Sequence, residues 1–321
     1  MIAGCPTCGA FNRVAEGQGA SATCGGCGGS LAGSTWRRTR LPRLSPPQYE
    51  HGFERKALAG LEKVPALGTA VNLFNKHGLD HLLKVEVTGS NLRVTANNVP
   101  EAMTALREVC KVLAMAEEPE LYLEPGDQIS ALTSGVHSPV ICLTTGALEA
   151  LTRDELFFVL GREVGHIRSN HLLYQQMARV LPKFGDVIGE VTLNIGKLIS
   201  RGLVAALRHW CRMSELTADR AGLLACQDGG AAETAFVKMA GLPRAHYPRM
   251  GAAVEGFRRQ AVEFESVDED WGGKIARGIA LSDKEHPWTV VRAAQLQSWV
   301  QTKDYDMVLS MAAAAAPEQP V

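Results

Sequence analysis

A mainly helical α+β fold with a small antiparallel sheet, preceded by a separate cysteine-rich module, is the class the sequence predicts. Three observations carry that prediction. Two long stretches, 152–182 and 205–227, have helical start or stop signals. Three short β-prone runs between 120 and 145 are bounded by Gly and Pro. Four of the eight cysteines fall in two Cys-x-x-Cys pairs near the N-terminus. The composition fits a folded chain: 321 residues, 46% of them hydrophobic and 21% charged, can bury a proper core as one domain or two. With 33 Lys+Arg against 34 Asp+Glu, the net charge of -1 gives no global attraction to nucleic acid or to an anionic membrane.

Residues 1–34 come first. Cys5-Pro-Thr-Cys8-Gly and Cys24-Gly-Gly-Cys27-Gly are two knuckles whose sulfurs lie close enough to share one metal. Each is followed by a Gly that lets backbone N–H groups turn toward the thiolates. This spacing predicts a tetrahedral four-cysteine zinc ribbon, with zinc supplying most of the folding energy of a module almost without an apolar core. The competing reading, disulfides or a redox pair, needs an oxidising compartment or a βαβ setting. Residues 35–48 read as a basic, Pro-rich linker. Residues 1–44 hold five arginines (Arg13, Arg37, Arg38, Arg40, Arg43) against Glu16, but a few charges in a linker are more often solvated than bound to nucleic acid.

Residues 49–304 read as one mainly helical domain. The run 101–115 places Ala102, Leu106, Val109, Cys110 and Leu113 on one helical face. Short strands are expected at 120–123, 128–132 and 139–145, the last taken as an edge strand on which an extended peptide can pair. An Ala-rich, frayed tail is expected over 305–321. The opening Met1-Ile-Ala-Gly-Cys-Pro lacks the basic start and apolar run of a secretory signal. The best candidate for a membrane span, 187–207, is interrupted by Glu190, Lys197 and Arg201. A cytoplasmic location is therefore the expectation.

Chemistry concentrates in the two long helical stretches. Thr152-Arg-Asp-Glu155 is a capping box that opens a helix able to run as far as Pro182. Inside it stands Gly161-Arg162-Glu163-Val-Gly165-His166. The second stretch holds Glu215 and Asp219 one turn apart. Gly161 and Gly165 each cost up to about 1 kcal/mol relative to Ala in a helix interior, so close approach of another element is expected there. Leu-Thr-Arg-Asp-Glu-Leu-Phe-Phe-Val-Leu-Gly-Arg-Glu-Val-Gly-His-Ile, then Trp210-Cys-Arg-Met-Ser-Glu-Leu-Thr-Ala-Asp219, then His286-Pro287, resembles the HtpX and CAAX prenyl protease family of zincin-like zinc metallopeptidases over roughly residues 49–300. The resemblance implies that Glu163 is the general base and His166 a zinc ligand. It implies further that Glu215 is the family's third protein ligand, that Asp219 is the Asp that orients the first histidine, and that His286 lies beside the cleft to assist the oxyanion.

The first histidine of the family's His-Glu-x-x-His motif is replaced by Arg162. A guanidinium has no lone pair to give and stays charged. One His and one carboxylate remain, one short of the three ligands of a catalytic zinc site. The expectation is that Arg162 stands in for the metal among Glu163, Glu215 and Asp219. Peptide hydrolysis is then impaired, and the cleft binds a peptide segment or protein partner. The alternative is an active endopeptidase with a rebuilt ligand set, Cys211 being the leading substitute ligand because it precedes Glu215 by one turn. His171, five positions after His166, is expected to point off the shared face.

Overall fold

The computed structural model describes residues 2–4, 11–13, 22–31, 38–76, 79–191, 201–266 and 288–313. At the N-terminus, β1 (Ile2–Gly4) pairs antiparallel with β2 (Phe11–Arg13). Thr23 and Ser30 form an antiparallel bridge around Cys24 and Cys27. Cys5, Cys8 and His286 lie outside the described residues.

Four helices follow: α1 (Pro46–Tyr49), α2 (Gly52–Leu61), α3 (Leu67–Lys76) and α4 (Leu79–Ser90). Strand β3 (Leu92–Arg93) leads into α5 (Pro100–Val112). Next come β4 (Glu120–Glu124), β5 (Ala131–Ser134) and β6 (Val140–Thr144). The helical part then runs through α6 (Thr145–Ala150), α7 (Arg153–Arg168), α8 (Leu172–Val191) and α9 (Arg201–Cys226). It continues as α10 (Gly229–Met239), α11 (Met250–Ser266), α12 (Thr289–Gln301) and α13 (Asp304–Ala313). Among the described residues no helix is long and apolar enough to cross a membrane.

The sheet is mixed, not antiparallel as expected. Its order is β3-β4-β6-β5, with β4 parallel to β6 and the outer strands antiparallel to their neighbours. Strand β6 is therefore central, and β5 is the edge. The reason lies in the side chains: Val140, Ile141, Cys142 and Leu143 are all buried, and a continuous apolar run suits a strand covered on both faces. A one-sided edge strand would alternate. The strand expected at 128–132 forms over 131–134 instead.

The expected helix 152–182 is two helices. Its capping box forms, with Glu155 N–H donating to Thr152 Oγ1 at 3.4 Å and Thr152 N–H to Glu155 Oε2 at 2.6 Å. The helix stops at Arg168 because Asn170 adopts φ +56°, a left-handed conformation that Asn tolerates better than most residues. Two expected boundaries also move. Leu41 and Leu44 of the linker are buried in the main core, and Arg38 pairs with Asp154. Residues 305–313 of the expected tail belong to α13, whose Val308 and Ala312 pack into that core. Both segments carry apolar residues that the core takes up, which outweighs their Pro- or Ala-rich composition.

The main core lies between α5, α7, α9, α10 and one face of the sheet, with Leu106, Phe157, Phe158, Ile141, Leu224 and Phe236 buried together. A second cluster, including Leu61, Phe74, Met177, Leu207 and Trp210, joins α2 and α3 to α8 and α9. Within the main core, α7 and α9 touch along a seam of small residues. A Cβ on Gly161 would stand 2.4 Å from Ala225 Cβ, and one on Gly165 would stand 2.4 Å from Ala221 Cβ. The expected close approach is thus the contact that brings Arg162 and Glu163 opposite Glu215 and Asp219.

Candidate functional site

Residues spaced three and four apart on a helix share a face, so α7 presents Arg162, Glu163 and His166 together while α9 presents Glu215 and Asp219. All five are at most 5% exposed. So little of each is exposed that their charges must be matched largely by one another. The Arg162 guanidinium does most of this. Its Nε donates to Asp219 Oδ1 at 2.8 Å, one Nη donates to Glu215 Oε2, and the other lies 4.0 Å from Glu163 Oε1. Burial works against the charged guanidinium, but the Glu215, Asp219 and Glu163 carboxylates outweigh it and hold its pKa above the ordinary arginine value. Arg162 is cationic at every accessible pH.

A second arginine completes the cluster. Arg292, on α12, is 3% exposed and donates from Nε to Asp219 Oδ2 at 2.8 Å and from Nη2 to Asp219 Oδ1 at 2.5 Å. The same Nη2 lies 3.8 Å from Glu215 Oε2, and the guanidinium sits 5.3 Å from the centre of the Phe236 ring. Asp219 is thereby forked from two sides. Sequence reasoning missed Arg292; the available signal was a single charged residue in the apolar run Val290-Val-Arg-Ala-Ala294, six positions beyond His286.

Glu163 turns away from the arginine pair and accepts a 2.8 Å bond from Thr133 Oγ1 on β5. His166 Nε2 lies 3.4 Å from Glu215 Oε1, and its other nitrogen meets His171 Nδ1 at 2.9 Å. His171 comes onto this face because the chain reverses at Asn170 rather than continuing as helix, which overturns the expectation drawn from helical spacing. Its Nε2 reaches Glu54 Oε1 at 2.9 Å, and Thr217 Oγ1 donates to the second Glu54 oxygen. Burial lowers the pKa of His171. Burial raises that of Glu54, but the bonds from His171 and Thr217 outweigh it and keep the carboxylate ionised. Gln175 Nε2 also lies 3.0 Å from His166 Nδ1, so this nitrogen is shared between the His171 ring and the Gln175 amide. Neither Glu54 nor Thr133 has a sequence signature; each becomes visible only once its element is packed.

Cys211 is not brought to the site. It lies in the second apolar cluster, with Sγ 3.9 Å from the Tyr174 carbonyl, because one helical turn before Glu215 the α9 face already packs against α8. Among the described residues no three His, Cys, Asp or Glu side chains converge in a geometry able to hold a metal ion. In the N-terminal module, Cys24 Sγ accepts from Asn12 Nδ2 at 3.4 Å and from Gly26 N–H at 3.3 Å. Asn12 Oδ1 in turn accepts from Gly25 N–H at 2.8 Å.

Arg162, Glu163, His166 and Glu215, together with Arg292, line a cleft of about 180 Å³ that is also bounded by Gln128 to Leu132, the segment that leads into β5. The family model of peptidase family M48 matches residues 99–300. The chain is 27% identical over 289 residues to the plastoglobule-localized metallopeptidase 48 of Arabidopsis thaliana, covering 86% of this chain and 82% of that protein. It is 29% identical over 117 residues to a protease HtpX homolog of Gemmatimonas aurantiaca and 27% identical over 140 residues to one of Thermoanaerobacter pseudethanolicus. These matches cover 36% and 42% of this chain, and less than half of each bacterial protein, 41% and 46%. No solved structure gives a significant match. Two helices that carry Arg-Glu-x-x-His and Glu-x-x-x-Asp, packed face to face over a cleft beside a sheet edge, agree with the matched model: the chain belongs to peptidase family M48.

Proposed function

We propose that this chain is a peptide-binding member of the family that does not hydrolyse peptides through zinc. Members of this family are zinc-dependent metallopeptidases, and a protein or peptide segment is the partner class this implies. The observation that carries the reading is the Arg162 guanidinium, forked between Glu215 and Asp219 at 4% exposure. His166 Nε2 and Glu215 Oε1 remain as two candidate metal donors, but the position of the third is filled by a cation without a lone pair. The residues present do not fit a three-ligand catalytic zinc, and Cys211, packed against the Tyr174 carbonyl of α8, does not restore it. Arg162 supplies the positive charge that the carboxylates need, so the cleft keeps its shape without a metal.

Peptide pairing belongs to β5, the edge strand that lines the cleft, and not to the central β6. Backbone pairing along an edge needs no metal. The four-cysteine ribbon stays part of the proposal. It is supported by the two N–H donors aimed at Cys24 Sγ, the pattern expected around a thiolate ligand. A structural zinc held by Cys5, Cys8, Cys24 and Cys27 is the cofactor this implies. A cytoplasmic location stays part of the proposal, in keeping with Cys110, Cys142 and Cys226, which are buried singly and unbridged among the described residues.

Elemental analysis of the purified chain tests the reading. One zinc per chain in the wild type, rising to two in Arg162→His, is the expected result. Two zincs in the wild type, together with chelator-sensitive cleavage of an unfolded protein that Glu163→Gln abolishes, would overturn it in favour of an active endopeptidase.

A further inference from the structure

Strand β5 has one side against β6; Ala131 and Leu132 line the cleft, and Thr133, 2% exposed, follows them at the cleft's inner end. Thr144 N–H donates to Ser130 O at 3.0 Å, and the register pairs Leu132 with Cys142 and Ser134 with Val140. In an antiparallel ladder the hydrogen-bonding residues alternate, so Ser130, Leu132 and Ser134 face β6 while Ala131 and Thr133 turn their backbone groups outward. Those outward groups are what an added strand would pair with. At one of them a side chain is already in place. Arg179, on α8, lines the same cleft and donates from Nη1 to the Thr133 carbonyl at 3.3 Å.

Three arginines line the cleft, and they are not equivalent. Arg162 and Arg292 are buried and satisfied by Glu215 and Asp219. Arg179 is only half-buried, and among the described residues it has no carboxylate within ion-pairing distance. One long bond to a carbonyl uses one of its five N–H donors, which leaves a planar fork matched to a carboxylate. Glu163, an acid of the same cleft, accepts from the Thr133 hydroxyl instead.

Building on the peptide-cleft reading above, we infer that Arg179 is a specificity-determining residue that selects peptides placing a carboxylate at the Thr133 end of β5. The group is either an acidic side chain or the peptide's own C-terminus. The chemistry at Arg179 is the same for both, and only the direction of the bound strand differs.

Fluorescence anisotropy with the full chain tests this. The probes are an otherwise uncharged labelled decapeptide with a single Glu walked along it, the matching Gln series, and both series with free and amidated C-termini. At one or more positions the acid is expected to bind about tenfold more tightly than its amide, as a charge-assisted bidentate contact does. A preference for Glu over Gln that survives C-terminal amidation identifies a side chain; a preference for the free over the amidated C-terminus, with Glu and Gln equal, identifies the terminus. In Arg179→Gln the acid-to-amide ratio is expected to fall to about one, while Arg179→Lys keeps part of it because the charge remains without the fork. Equal binding of Glu and Gln peptides at every position, together with equal binding of free and amidated C-termini, would overturn the inference in the wild type, with no variant needed. So would a ratio that persists in Arg179→Gln. Binding of none of these peptides would overturn the peptide-cleft reading itself, and this inference with it.

Discussion

Asp219 is held by Arg162 from one side and Arg292 from the other, at 2.8 Å from the Nε atom of each. A single buried carboxylate thus ties α7 and α12 to α9, and its partners come from segments more than 70 residues away in sequence on one side and more than 50 on the other. Breaking such a cluster costs more than forming it returns, because the partners left behind are buried and cannot be rehydrated.

Arg162→Ala is therefore expected to destabilise the chain by about 3–5 kcal/mol, the usual loss when one partner of a buried ion pair is removed. Urea unfolding followed by circular dichroism measures it. A loss below about 1 kcal/mol would mean that the carboxylates find another counter-ion, which is the result expected of an occupied metal site.

Arg292→Lys keeps the charge but replaces a planar fork by a point donor that can make one of the two bonds to Asp219. An expected cost of about 1–2 kcal/mol follows, read from the same unfolding curves. An unchanged midpoint would show that the two-pronged geometry contributes nothing.

The glycines of the α7–α9 seam give a paired test. Gly165→Ala forces a Cβ against Ala221, an overpacking cost of about 1–3 kcal/mol that helix propensity offsets by about 1 kcal/mol at most. Gly60→Ala, in α2 with nothing within 4 Å, carries only the propensity gain and is expected to raise stability by up to about 1 kcal/mol. Opposite signs in thermal unfolding are the expected outcome. The same sign at both positions would remove the seam as the reason for Gly165.

His51 makes stability pH-dependent. Its neutral ring caps α2, with Nδ1 accepting from Phe53 N–H at 3.1 Å while Nε2 faces Gln295 Oε1 at 3.2 Å. Burial first, then the Arg220 charge, lowers its pKa from 6.5 to about 4. The unfolded chain therefore binds the proton more readily than the folded one, so this group's contribution is complete above pH 6.5 and lost as pH falls toward 4. The loss reaches up to about 3 kcal/mol. His51→Asn, which can still cap the helix, is expected to flatten the stability profile across that window. An identical slope in the variant would assign the titration elsewhere.

Much of this was legible before any coordinates. The capping box at Thr152, the shared face of Glu163 and His166, and the one-turn spacing of Glu215 and Asp219 are properties of a single helix, and local periodicity reports them directly. The glycines at 161 and 165 announced a close contact without naming the partner. What misled was the assumption that a helix continues until a proline stops it. The left-handed turn at Asn170 ends α7 at Arg168, and so His171 joins the site, while Pro182 is carried inside α8. The sheet was misjudged for a related reason, since a run of apolar residues says that a strand is buried but not which neighbours bury it.

The sequence by itself determined the family, the two motif helices and the chemical oddity at position 162, because each rests on residue identity and short-range spacing. Only the tertiary structure decided that Arg292 joins Arg162 on Asp219, that Thr133 holds Glu163, that Cys211 turns toward α8, and that β5 rather than β6 is the open edge. These are contacts between segments distant along the chain. Their geometry follows from how helices and strands pack to bury apolar surface and match buried charge, and no local pattern encodes that sum.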